Sequence, residues 1–224
     1  MADNSEATGP WSENVVSLPP NRRYICTHDA SGASIVHSSP PQLYRGRPGV
    51  GGVARSYATA SAPTVLKDDV DVSAYLSTSG PASHKGTDIV VPTGQGANLV
   101  VVDIAPGGQS QMHRTVSIDF SICVIGHVCM ELDGGQKLEL KPGVRFQRAL
   151  EDGAQEGVVL TVLQDHVIQR GTLHRWYNGS KTEPARFVAV TLPCVPFEIP
   201  GTGKMLTEEH LQGTGATQAE ASKL

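Results

Sequence analysis

Aromatic side chains are scarce in this chain, with 2 Trp, 5 Tyr and 4 Phe among 224 residues, so its core must rest mainly on aliphatic groups. No run of about 18 apolar residues occurs, which excludes a helical membrane span. Basic residues are not in excess: 18 Lys and Arg face 22 Asp and Glu, a net charge of −4, which leaves no electrostatic footprint for nucleic acid. Residues 1–10 lack the basic and then apolar pattern of a secretory leader. The 4 cysteines, Cys26, Cys123, Cys129 and Cys194, show no Cys-x-x-Cys spacing and are expected as reduced, mostly buried thiols. No internal repeat is visible.

Turn formers are abundant. The chain has 24 Gly and 15 Pro, the composition of many short strands, and its length suits one domain with an elaborated end. Residues 1–20 are polar, stop at Pro19-Pro20 and are expected to be disordered. A β extension and arm fill 21–95. Residues 22–28 and 33–38 read as a hairpin around Asp29-Ala30-Ser31-Gly32, and 39–62 as an extended arm that either wraps its own barrel or adds a strand to a partner. Strands are expected at 87–91 and 98–104, and again at 128–132 and 137–140 around Asp133-Gly134-Gly135. The last strand is expected at 185–192, and 201–224 reads as a flexible tail.

Within 106–119, side chains of a strand alternate faces, so His113, Thr115, Ser117 and Asp119 point one way. Arg114, Val116, Ile118 and Phe120 point the other. A polar stripe turned into a closed barrel lines a ligand cavity, with the apolar stripe packed beneath neighbouring elements; a polar stripe turned to solvent makes His113 an ordinary surface residue. In 165–178, the same alternation puts His174, Trp176 and Asn178 on one face.

These two segments resemble the paired signatures of the cupin family. The first signature is a glycine, five residues, His-x-His, a short gap, a carboxylate, six residues and a glycine. Here Thr115 stands at the second histidine and Asp119 at the usual glutamate, with Gly126 closing the run. The second ends Gly-x-x-His-x-x-x-Asn, met by Gly171, His174 and Asn178, with Gln169 or Arg170 in place of proline. The resemblance implies an all-β fold, a single cupin (double-stranded β-helix, jelly-roll) barrel over 96–200 with an N-terminal extension, and a common habit of forming homodimers. Its wording is closest to a subgroup of small fungal cupins from polyketide clusters, including those making salicylaldehyde-type aromatics, described as cupin-domain oxidoreductases.

The resemblance also implies chemistry. His113, Asp119 and His174 become the catalytic set, as ligands of a divalent Fe, Mn or Zn ion in an open two-histidine, one-carboxylate arrangement. Alternatively they act without metal, His113 serving as acid or base tuned by Asp119, as in a dehydratase, isomerase or cyclase. Thr115, Ser117, Trp176 and Asn178 are the expected pocket wall. A non-catalytic binding module is the third possibility. The expected partner is a small polyketide-like molecule acted on in a tailoring step.

Two features fall outside the signatures. Residues 144–164 interrupt the expected passage from Pro142-Gly143 to Asp165, either as a surface insertion or as a retained, translated intron, since its valine and glutamine ends fit intron boundary codons. The final Ser222-Lys223-Leu224 matches the peroxisomal import address, so peroxisomal localisation through the import receptor is expected, and cytoplasmic otherwise.

Overall fold

A computed structural model of the chain describes residues 10–37, 41–47, 49–142, 144–149, 157–162 and 165–214. A hairpin comes first, β1 (Ile25–His28) with β2 (Ser34–His37), and its turn is tied by Asp29 Oδ1, which accepts from the N–H groups of Ser31 and Ala33. The arm folds into β3 (Tyr44–Arg47) and β4 (Gly51–Thr59), followed by one helix, α1 (Val70–Leu76). Then come β5 (Ala97–Ile104), β6 (Met112–Arg114), β7 (Ser117–Ile125), β8 (Val128–Leu132) and β9 (Lys137–Leu140). The chain continues through β10 (Val144–Ala149), β11 (Gly157–Val162), β12 (His166–Arg170), β13 (His174–Asn178) and β14 (Ala185–Pro193). Three short strands close the described chain: β15 (Glu198–Ile199), β16 (Lys204–Met205) and β17 (Glu209–Leu211).

Two antiparallel sheets form the barrel, one ordered β12-β7-β14-β5-β4-β3 and the other β17-β6-β13-β8-β9. Between them lies a core of Val100, Ile104, Met130, Leu140, Trp176 and Phe187, largely aliphatic as the composition requires. This is the all-β cupin jelly roll. The polar face of β7 points inward: Ser117, Asp119, Ser121 and Cys123 are buried in alternation. Its apolar face is less covered than the pattern suggests. Phe120 and Ile122 remain 39% and 38% exposed, beside Ile168 and Val190.

Coverage of that outer face is one-sided. α1 and the first hairpin lie over β4, where Tyr57 packs against Ile25, Val72 and Tyr75. The alternation of apolar residues does not announce α1; Val72 and Tyr75, one turn apart, give it a single buried stripe. From Pro10 onward the N-terminal stretch is a strap rather than a loose tail. Ser12 bridges to Tyr44, Val15 packs on Tyr44, Ala54 and Val101, and the Pro19 carbonyl accepts from Arg186. Arg186 is held by a buried fork to Asp103, at 2.6 and 2.8 Å.

Three further expectations change. Residues 87–91 form no strand: the carbonyls of Asp88 and Ile89 accept from Asn98, Arg55 and Thr191 side chains, so this backbone is satisfied without a ladder. The arm neither wraps loosely nor leaves the molecule, since β3 and β4 extend its own six-stranded sheet. The tail is ordered through residue 214, with Leu206 buried and β17 paired to β6. Residues 144–149 and 157–162 make a separate hairpin, and at its base Lys141 and Asp165 hydrogen-bond to each other. Ser222-Lys223-Leu224 lies outside the described residues.

Candidate active site

A cavity of about 550 Å³ opens between the sheets. One side is apolar, built from Val53, Val100, Val102, Trp176, Phe187 and Ala189. The aromatic part is rigid, because Trp176 stacks on Phe187 at 4.5 Å and meets His174 edge-on at 5.7 Å.

The polar side begins with a row of histidines. β13 pairs with β6 so that His174 lies opposite His113, and their rings are 4.5 Å apart. His113 Nδ1 lies 2.8 Å from the Gln111 carbonyl and His174 Nδ1 lies 2.9 Å from the Thr172 carbonyl. A carbonyl only accepts, so these short contacts favour the hydrogen on each Nδ1, at His174 against the longer 3.3 Å approach of the Gln169 carboxamide nitrogen to the same atom. Burial, reinforced by the neighbouring His113, pulls the His174 pKa down to about 3, so this ring is neutral throughout the physiological range.

Gln169, where the general signature has proline, is buried behind His174. Its carboxamide oxygen accepts from Gly171 N–H, and its nitrogen lies 3.3 Å from His174 Nδ1. Gly171 adopts φ +65, and a Cβ there would meet Leu206 at 2.8 Å, so turn geometry and close packing both require glycine.

Asp119 enters the cavity from the other sheet, on β7. Burial pushes its pKa up to about 6, against a smaller lowering effect from Ser117, and its Oδ1 has no hydrogen-bond partner. Each imidazole has its Nδ1 on a backbone carbonyl. Among the described residues, no group of three or more His, Cys, Asp or Glu side chains is positioned to hold a metal ion. The pair His113 and His174 offers two nitrogens, and the proposed third ligand, Asp119, does not converge with them.

The remaining expected wall residues divide. Thr115 and Trp176 line the cavity. Ser117 sits behind it, its hydroxyl 2.6 Å from that of Thr115. Asn178 serves the scaffold instead, since its Nδ2 donates to the carbonyls of Ile104, Ala105 and Glu183, and its Oδ1 accepts from Ser180 N–H. Cys123 belongs to the core cluster, whereas Cys194 reaches the cavity, and all 4 cysteines are free.

Sequence reasoning missed the last member of the row. β17 pairs with β6 so that His210 lies opposite His113, with the two rings stacked at 5.9 Å and 10°. Glu208 and His210 both line the cavity. The only local signal is a histidine beside two glutamates in a stretch too short for a readable period.

No protein-family model matches the chain. It is 36% identical over 188 residues to phomopsin biosynthesis cluster protein C' of Diaporthe leptostromiformis, a match covering 81% of this chain and 82% of that one. It is 29% identical to the cupin-domain-containing oxidoreductase fogC of Aspergillus ruber, over 85% of this chain and 81% of that one. Among solved structures, a cupin-like protein from Thermotoga maritima overlays on 57% of this chain and 71% of its own, at 13% identity and a TM-score of 0.34.

Proposed function

Because the chain belongs to the family of fungal biosynthesis-cluster cupins that includes phomopsin cluster protein C', we propose that it is a tailoring enzyme of secondary metabolism acting by proton transfer. Its substrate is a small, largely apolar ring-bearing intermediate of the aromatic polyketide kind. The carrying observation is the cavity's polar inventory: two adjacent imidazoles, each anchored through Nδ1, and a buried carboxyl group with one oxygen unsatisfied. Trp176 and Phe187 suit a flat apolar body, and His113 with His174 suits its hydroxyl or acidic C–H groups. Asp119, with its pKa near 6, is available in both protonation states at neutral pH and suits the acid–base step of a dehydratase, isomerase or cyclase.

A second reading is oxidation, favoured by the name of the Aspergillus ruber relative. It requires a redox-active partner beyond the donors that converge here. The test uses the intermediate that accumulates when the gene is deleted, supplied to purified protein with and without a chelator. Turnover that survives chelation, in protein lacking stoichiometric metal, supports proton transfer. Turnover lost with the metal and restored by it replaces that reading with oxidation. Peroxisomal import through Ser222-Lys223-Leu224 is tested separately, by the distribution of a fluorescent protein carrying residues 201–224.

A further inference from the structure

The outer faces of the two sheets differ in kind. On the five-stranded sheet the outward side chains form ion pairs, with Glu131 holding Arg175 at 2.7 Å and Lys137 at 3.9 Å, a face built for water. On the six-stranded sheet, register sets Ile168, Phe120 and Val190 in one line across β12, β7 and β14, with Ile122 beside it. These four side chains are 37% to 46% exposed.

The same side carries a second apolar surface. The hairpin β1–β2 and α1 stand one layer above β4, resting on Tyr57 through Ile25, Val72 and Tyr75. Thr27 on β1 donates to Asp69 at the start of α1 at 2.5 Å, which ties hairpin and helix together. Away from that contact, Tyr24, Ile35 and Val36 of the hairpin and Leu66 and Val70 at the helix start are 43% to 67% exposed. Most of the large apolar side chains exposed among the described residues lie on these two surfaces, and neither is used by the cavity.

One-sided coverage gives this face a step. The patch around Phe120 is the lower level, and the hairpin and helix form an upper level about 10 Å above it. The patch is three strands wide and three same-face positions long. With strands about 4.8 Å apart and same-face positions about 6.8 Å apart, it offers roughly 300 Å². Patch on patch between two copies buries roughly 600 Å² in total, below the roughly 1,200 Å² at which specific interfaces begin. A twofold axis along the step instead lays the upper level of each copy on the lower level of the other. Each copy then contributes both surfaces, and the total doubles to about 1,200 Å².

We propose that this stepped face is the contact surface for a second copy of the chain. The result is a twofold dimer in which the β1–β2 hairpin and α1 of each copy cover Phe120 and its neighbours on the other. The contact lies on the side of the sheet away from the cavity and stands independently of the proposed function.

Sedimentation of the full chain at micromolar concentration provides the test. Wild type is expected at twice the 23.7 kDa chain mass. Phe120→Glu and Val36→Lys each put a charge into both halves of the contact, so each is expected to weaken association about 100-fold. An equimolar mixture of the two is the sharper arm. The intact hairpin of one variant meets the intact patch of the other, and the remaining half sets Lys against Glu, so association recovers at least about tenfold. Ile168→Glu reads the same patch should Phe120→Glu misfold. A wild-type chain at its single mass, or a dimer that survives both substitutions, overturns the inference. Loss of the dimer in only one of the two variants, or a mixture that gains nothing, does the same.

Discussion

The two sheets carry ionisable groups into one cavity, and burial shifts their pKa values in opposite directions while favouring the neutral form of each. On the five-stranded side it keeps His174 neutral by lowering its pKa; on the six-stranded side it favours a neutral Asp119 by raising its pKa. The imidazoles have carbonyl partners for one nitrogen each, whereas one oxygen of Asp119 has none. One wall is therefore anchored through an Nδ1 contact on each imidazole, and the other holds an unmet acceptor. Under the proposed function, the first wall is expected to position the ligand and Asp119 on the second to exchange a proton with it.

The sharpest way to break that contrast is to remove the imidazole wall. His113→Asn or His174→Asn is expected to lower turnover of the accumulated intermediate by at least about 100-fold, the usual scale for loss of positioned proton-transfer groups. Asp119→Asn should do so as well, and should abolish the acid limb near pH 6 expected of wild-type turnover as the carboxyl group ionises. A limb that persists in Asp119→Asn assigns it to another group.

Stability separates the two walls by sign. Asp119 titrates at about 6 in the fold and near 3.8 when unfolded, so its contribution is fully present below about pH 3.8 and is lost as pH rises through 6. The shift corresponds to about 3 kcal/mol, and Asp119→Asn should recover much of it at pH 8 in urea denaturation. His174 runs the other way: its folded pKa is depressed from 6.5 to about 3, so the stability of its neutral form is present above pH 6.5 and lost as pH falls towards 3. Between pH 6 and 4 the two largely cancel in the wild type. Relative to wild type, Asp119→Asn should become more acid-sensitive and His174→Gln less so. Parallel curves for both variants remove the comparison.

Smaller effects sharpen it. Asn178→Ala deletes bonds to three carbonyls, two of them on buried residues, and one N–H but no cavity group, so it should cost about 2 kcal/mol of stability while the remaining folded protein keeps its turnover. The least is expected from joining residue 143 to 165. The pairing of Lys141 with Asp165 already closes the barrel at the base of that hairpin, so loss of 144–164 should shift the melting temperature by only a few degrees.

How far these walls were legible depends on the range over which a pattern operates. Alternation along one strand is local, which is why it puts Ser117 and Asp119 on the inward face of β7, and His174 with Trp176 on one face of β13, whereas His113 reaches the cavity from β6 in the other sheet. Phe120 and Ile122 follow the same alternation, yet remain exposed because α1 and the first hairpin lie over β4 instead. Asn178 shares parity with His174, but the carbonyls of 104, 105 and 183 that claim its amide arrive from elsewhere in the chain.

The amino-acid order alone settled the strand-rich architecture and which side chains share a face, because side-chain alternation and turn chemistry act between near neighbours; the inward turn of the polar stripes and the meeting of the two histidine-bearing segments were only implied by the cupin resemblance. Tertiary structure alone brought His210 to the row, placed Asp119 on the opposite sheet from the imidazoles, and packed residues 10–20 and 201–214 against the barrel. Those outcomes depend on register between strands nearly a hundred residues apart, and on how deeply each charge is buried, quantities that exist only once the sheets have closed.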